Sequence, residues 1–247
     1  MKSAIIIQAR TGSTRLPQKM ILPFYKGYSL LELLVKDLQE KTDVPIILAT
    51  TTNKKDDELI KKVDNFKINI FRGSEQNVLN RFIEAATAYK VKKIIRVCAD
   101  NPFIQPEYIN TLIKTFETGN IDYISFYMGN TPVIKTHLGL FAEGVSLEAL
   151  ILIHSKTNEQ IYLEHVTNYI YTNFQEFKIK KIKLPVFLSN RDDLRFTLDT
   201  KEDFVLYQQL YEKYIDFNKD ISQLISWIDK KPEVIHIMKE QIKRNSK

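Results

Sequence analysis

The chain has 247 residues, 44% hydrophobic and 27% charged, a globular composition long enough for one large domain; no apolar run approaches the roughly 18 residues of a membrane span, and the short apolar stretch after Met-Lys-Ser, ended by Gln8 and Arg10, does not read as a signal peptide, so a cytoplasmic location is expected. One cysteine, Cys98, excludes an internal disulfide and a cysteine-based zinc site, and the four histidines contain no H-x-x-x-H pair. The net charge of +6 comes from lysines and arginines spread along the chain, which argues for solvated helix faces over a nucleic-acid surface.

Ala4–Ala9 predicts a buried strand, because its start is apolar without alternation and rich in isoleucine. It stops at RTGSTRLPQK, residues Arg10 to Lys19. Ligands of open α/β sheets sit at the carboxyl ends of strands. Gly12 allows close backbone approach, and Arg10, Arg15 and Lys19 with the hydroxyls of Thr11, Ser13 and Thr14 suit a polyphosphate. The spacing fits neither G-x-x-x-x-G-K-[ST] nor G-x-G-x-x-G. The competing reading is an ordinary solvated turn.

Further strands are predicted at Pro45–Thr51, Lys67–Phe71, Lys93–Ala99 and Asp122–Phe126, with helices at Leu30–Glu40, Lys55–Val63, Glu75–Tyr89 and Pro106–Glu117 between them. Ser74 is the expected cap of the third helix and Pro106 opens the fourth. This alternation predicts a mostly parallel sheet with helices on both faces. The order changes after Gly129. Thr131–Gly144 reads as irregular, Ser146–His154 and Asn158–Thr172 as helical, Lys178–Leu184 as an antiparallel strand with one wet face, and Leu194–Leu198 as a short strand. Three helices finish the chain, and residues 239–247 read as a flexible basic tail. Residues 1–247 are thus expected to form a single domain, with about 127–190 as a small inserted lobe for acceptor binding or dimerisation.

Asp100 and Asp199 each follow a predicted strand and should share the ligand edge with the basic turn. Two carboxylates plus phosphate oxygens are a common magnesium set, whereas each aspartate alone could be a turn or cap residue. At the junction beginning Phe71, Arg72, Gly73 and Ser74 could line a base or ribose. Arg81 could reach inward or be a surface arginine. The Glu164–His165 pair could meet a second substrate.

These segments together resemble a known family. The Arg10–Lys19 turn is similar to the nucleotide loop of the cytidylyltransferases that make CMP-activated sugar acids, CMP-KDO synthetase and CMP-sialic acid synthetase among them. RGSEQNVLNRF from Arg72, RVCADNPFIQP from Arg96, LEHVTNYI from Leu163 and RFTLDTKEDF from Arg195 resemble the spore-coat polysaccharide biosynthesis branch. The resemblance spans about residues 3–205. It implies a nucleotidyltransferase fold of the glycosyltransferase-A-like type, an α/β/α sandwich, and CMP transfer from CTP with Mg²⁺ and release of pyrophosphate. Carried over by position, Gln8 and Ala9 would meet the cytosine. Arg10, Gly12, Ser13, Arg15 and Lys19 would hold the triphosphate, with Arg10 and Lys19 also serving catalysis. Arg72, Gly73 and Ser74 would complete the pocket, and Asp100 and Asp199 would hold the metal. The acceptor would be a sugar acid or a phosphorylated small molecule, met by Lys135, His137, Glu148, Glu164, His165 and Arg195. Relatives are often dimers, so a homodimer is a further expectation. A glycosyltransferase of the same fold usually carries a D-x-D pair, and none occurs in this chain.

Overall fold

The computed structural model describes residues 2–245. β1 (Ser3–Gln8) is buried on both faces, as its unbroken apolar run requires. After the basic turn, a hairpin of β2 (Pro23–Tyr25) and β3 (Tyr28–Ser29) leads into α1 (Leu30–Lys41). A capping box fixes that helix start: the Ser29 hydroxyl accepts from the Glu32 N–H, and the Glu32 carboxylate accepts from the Ser29 N–H. The alternation continues through β4 (Ile46–Thr51), α2 (Asp57–Val63), β5 (Asn69–Gly73), α3 (Val78–Ala88), β6 (Lys93–Cys98), α4 (Pro106–Thr118) and β7 (Tyr123–Met128). Then come β8 (Thr131–Pro132), β9 (Glu143–Ser146), α5 (Leu147–Lys156), α6 (Gln160–Glu164), α7 (Asn168–Thr172) and β10 (Ile179–Lys183). The described chain ends in α8 (Lys201–Asp216), α9 (Ile221–Ile228) and α10 (Pro232–Asn245).

The main sheet has the order β10-β7-β9-β6-β1-β4-β5, with β8 paired to β7. β9 is antiparallel to β6 and β7, β8 is antiparallel to β7, and the other pairs are parallel. Side chains of β1 alternate between two cores. Ile5 and Ile7 pack with Leu34 of α1, Leu112 of α4, Tyr211 of α8 and Leu224 of α9. Ala4 and Ile6 pack with Phe82 of α3 and Leu150 of α5. Helices therefore cover both faces of a mostly parallel sheet. The chain first builds outward from β1 to β4 and β5, then α3 returns it to β6 on the far side of β1. Strand order reverses between β1 and β6, and the carboxyl ends of these two strands frame the crevice where such sheets bind ligands.

Several expectations are corrected. The segment Lys178–Leu184 contains β10, which has its wet face but runs parallel to β7. Alternation fixes which face is buried, not strand direction. Residues 194–198 are extended without being a strand. Phe196 N–H donates to the His137 carbonyl (2.9 Å) and Leu198 N–H to the Asp100 carbonyl (2.9 Å), so the segment is strapped across the carboxyl edge. Asn77, not Ser74, caps α3, its side chain accepting from the Asn80 N–H. Thr200, not Asp199, caps α8. The predicted helix Asn158–Thr172 is two short helices, α6 and α7, separated at residues 165–167. Within Thr131–Gly144 the chain already enters β9, and β9 and β10 both join the main sheet, so much of residues 127–190 is built into the core. Residues 239–245 are the last turns of α10, and residues 246–247 lie outside the described residues. No helix of the described residues is long and apolar enough to cross a membrane.

Candidate active site

The basic turn is held from beneath by a carboxylate that sequence reading placed inside a helix. Asp56 is buried, and its Oδ1 accepts from the Thr11 N–H (2.8 Å) and the Thr11 hydroxyl (2.6 Å), while Oδ2 accepts from the Thr51 hydroxyl. Burial alone would raise the Asp56 carboxyl, but the hydrogen bonds from Thr11 and Thr51 outweigh it and hold the group below its ordinary value. The Thr11 carbonyl in turn accepts from Ser13 N–H and Gln18 N–H (2.9 and 3.1 Å), closing the turn on itself. Gln18 carries the left-handed backbone of the turn (φ 60°), and Gly12 does not. A Cβ on Gly12 would make only an ordinary contact with Glu75 Oε1 at 3.6 Å.

Lys19 is the centre of the site. Its side chain is buried, and Nζ donates to the Leu198 carbonyl (2.6 Å) and to Asp100 Oδ2 (2.9 Å), and lies 3.8 Å from Asp199 Oδ1. The two aspartates, distant in sequence, thus meet one ammonium. Asp199 also accepts from Arg15 Nη2 (2.7 Å) and Arg195 Nη2 (2.9 Å). Burial favours the neutral form of Asp199, but Lys19, Arg195 and Arg15 together hold its carboxyl below the ordinary value. Arg195, expected at the acceptor, is fully buried. It donates to both oxygens of Asp203 (3.2 and 3.1 Å), to Asp199 and to His137 Nδ1 (2.6 Å). A guanidinium only donates, so His137 Nδ1 is the unprotonated ring nitrogen. Arg195, backed by His137, therefore supports Asp199, and its fully buried guanidinium is committed to protein acceptors. Asp203 completes the support through the capping box at Thr200 and by accepting from Asp199 N–H (2.8 Å). The T-x-x-D spacing from Thr200 was the signal for it.

On the β4–β5 side, Gln8 ends β1 and Ala9 follows it, and Arg10 stands half-exposed after them, 3.6 Å from Glu164. Arg81 is fully buried, contrary to the surface alternative. Its Nη1 donates to the Ser74 carbonyl (2.6 Å), whereas Nε and Nη2 are buried without a partner among the described residues. Burial, reinforced by the neighbouring Arg10, lowers this guanidinium to about 10, so it remains charged at neutral pH. Gly73 admits the arginine stem: a Cβ there would sit 3.0 Å from Arg81 Cγ and from the Phe71 ring. An under-paired buried cation is costly unless something supplies acceptors. Arg72 differs. Its Nε and Nη2 donate to the Thr51 and Asn53 carbonyls (2.9 Å each), and Nη1 pairs with Asp57 (2.6 Å), so it ties β5 to the loop after β4.

Of the remaining acceptor candidates, Glu148 lies away from the site. β9 is antiparallel to β6 with Ser146 opposite Lys93, which puts Glu148 at the other end of the sheet, exposed in the first turn of α5. Glu164 and His165 are exposed at the turn after α6, and Glu164 reaches Arg10. Lys135 is exposed, with Nζ 5.4 Å from the centre of the Tyr171 ring. Tyr171 belongs to a cluster that sequence reading missed. Fully buried Glu143 accepts from Arg96 Nη1 (2.6 Å) and from the hydroxyls of Tyr123, Tyr171 and Thr167 (2.6, 2.7 and 2.7 Å). Burial pushes the Tyr123 and Tyr171 phenols far up, so both remain donors.

No group of three or more His, Cys, Asp or Glu side chains among the described residues could hold a metal alone. Asp100 and Asp199 fit a hard divalent cation that completes its shell with substrate oxygens and water, and the Lys19 ammonium between them marks a place suited to positive charge.

Comparison with known proteins gives the family. The chain is 37% identical over 238 residues to Methanocaldococcus jannaschii MJ1063, covering 96% of this chain and 94% of that protein. It is 34% identical over 236 residues to the spore coat polysaccharide biosynthesis protein SpsF of Bacillus subtilis, covering 92% and 94%. A solved cytidylyltransferase from Leptospira borgpetersenii superposes with a TM-score of 0.83 at 25% identity, covering 95% of this chain and 97% of that one. The cytidylyltransferase family itself matches residues 4–229. With that match over a sheet whose switch point carries the basic turn, the chain belongs to the cytidylyltransferase family and is a nucleotidyltransferase.

Proposed function

We propose that the enzyme transfers CMP from CTP to a sugar acid or a phosphorylated small molecule used in surface-polysaccharide biosynthesis. The observation that carries this reading is the meeting of Lys19, Asp100 and Asp199 at the crevice between β1 and β6. Membership of the family supports the nucleotide, and the likeness to SpsF supports the pathway class.

In this reading an acceptor oxygen attacks the α-phosphorus of CTP in line, and pyrophosphate leaves on the opposite side. Arg10 and Arg15 hold the outer phosphates through their forked N–H groups, aided by the turn at Gly12 and Ser13. Arg81 turns its unpaired buried edge to the nucleotide, beside Gly73 and Ser74, while Gln8 and Ala9 line the base. Lys19 neutralises charge that builds on the α-phosphate and leaving group. Asp100 and Asp199 would hold Mg²⁺, which would supply Lewis-acid stabilisation of charge on the reacting phosphate. Lys19, Arg195 and Arg15 keep the Asp199 carboxylate ionised, while His137 and Asp203 hold Arg195 in place beside it. The acceptor approaches from the side of Lys135 and the Glu164–His165 turn, where Lys135 supplies a cation for an acidic group.

A pyrophosphate-release screen tests this directly, with each of four nucleoside triphosphates against a panel of sugar acids, sugar phosphates and polyol phosphates. Release with CTP and an acidic or phosphorylated acceptor is expected. Release with another triphosphate in preference to CTP would refute the nucleotide assignment.

A further inference from the structure

The family match ends at residue 229, and α10 begins at Pro232, yet the last turn of this helix touches the basic turn. Val234 and Met238 anchor α10 in the core that also holds α8 and α9. Gln241 and Asn245 continue the same stripe, seven and eleven residues after Val234. Gln241 is buried, and its carbonyl and its side-chain Oε1 both accept from Asn245 Nδ2 (2.9 and 3.1 Å). With Nδ2 committed inward, Asn245 Oδ1 faces the site as an acceptor. Arg15 Nη1 donates to it at 2.8 Å, and Arg15 Nη2 donates to Asp199 Oδ1 at 2.7 Å. The Arg15 side chain is 47% exposed, so without these two holds its long stem would sample many rotamers. Gripped at both ends of its fork, the guanidinium keeps further N–H groups for a ligand.

We infer that Asn245 is a positioning residue: the carboxyl-terminal helix pre-sets Arg15 beside Asp199, with its remaining donors directed at the outer phosphates of a nucleoside triphosphate. The inference rests on the proposed use of Arg15 as a triphosphate ligand. It concerns binding, so it is tested without knowing the acceptor. CTP and CMP affinities are measured by calorimetry on the full chain and on Asn245→Ala, Arg15→Ala and the double variant. Asn245→Ala is expected to weaken CTP about three- to tenfold, the worth of one ordinary hydrogen bond, and to leave CMP binding and the melting temperature unchanged. In the Arg15→Ala background the second substitution is expected to change nothing. Equal CTP affinity in Asn245→Ala and the unaltered chain would overturn the inference, as would the same weakening with and without Arg15, which marks a structural effect of the helix end. Failure of the unaltered chain to bind CTP would overturn the functional reading and this inference together.

Discussion

Replacing Lys19 with methionine removes the one cation that, among the described residues, is shared by the two aspartates, while keeping most of the buried stem. Two consequences can be worked from the distances. For stability, the Leu198 carbonyl loses a 2.6 Å bond and Asp100 loses a 2.9 Å partner. Asp100 is 33% exposed and can rehydrate, and Asp199 keeps Arg15 and Arg195. The cost should therefore be about 2 kcal/mol, below that of stranding a fully buried charge. In a chain of this length that is a fall in melting temperature of about 4–8 °C. For catalysis, loss of a preorganised charge at the reacting phosphate costs about 3–4 kcal/mol, or roughly 10²–10³ in kcat. CTP affinity should fall less, because Arg10, Arg15 and Arg81 remain. The assay is pyrophosphate release at saturating CTP, with CTP affinity measured separately by calorimetry. A kcat within about threefold of the parent, with only affinity reduced, would refute the catalytic reasoning and leave Lys19 as a binding residue.

The two aspartates should separate by stability while agreeing in activity. Asp100→Asn and Asp199→Asn are each expected to lower kcat by at least about 10², but only Asp199→Asn should lower the melting temperature clearly, because fully buried Arg195 then loses a charged partner; equal melting temperatures would contradict the support role of Arg195. Asp56→Asn tests the floor of the basic turn through pH. The Asp56 carboxyl is held below 3.8 in the folded chain, so its contribution is complete above that value and disappears as the pH falls through the lower folded value. The parent should be more stable than Asp56→Asn by about 2 kcal/mol at pH 7, with the gap closing in melts taken below about pH 4; a gap that widens on acidification would reverse the assignment. Gly139→Ala should cost about 2–4 kcal/mol, since φ is +60° and an added Cβ would lie 2.6 Å from the Phe196 carbonyl group. Unchanged melting would mean that the strap at residues 194–198 is not held against Gly139.

Legibility in the sequence followed physical scale. The buried strand Ala4–Ile7, the basic turn after it and the alternation to residue 126 were readable because each is a local pattern: an apolar run, a stop, a helical period. β9 was not readable, because it is four residues long and carries Glu143, whose burial is possible only with Arg96, two tyrosines and a threonine from distant elements. The direction of β10 was invisible for the same reason that its wet face was visible. Residues 194–198 looked like a strand because an extended, apolar segment has that pattern whatever its backbone partners are, here single carbonyls of His137 and Asp100. Among site residues, the meeting of Asp100 and Asp199 followed from their places after β6 and at the start of α8. Arg195 and Glu148 were misplaced for different reasons. The first lies one residue from the strap's centre and turns wholly inward, and the second is carried to the far edge by an unrecognised antiparallel strand. Asp56 and Asn245 act through the basic turn from elements remote in sequence, and nothing local marks either.

The decisive experiment is a crystal structure with CTP and Mn²⁺, in which the metal is located by its anomalous signal. The account predicts a manganese ion coordinated by both Asp100 and Asp199, the α-phosphate beside Lys19, and the outer phosphates against Arg10 and Arg15. A nucleotide seated elsewhere, or a metal bound to the triphosphate without either carboxylate, would contradict it.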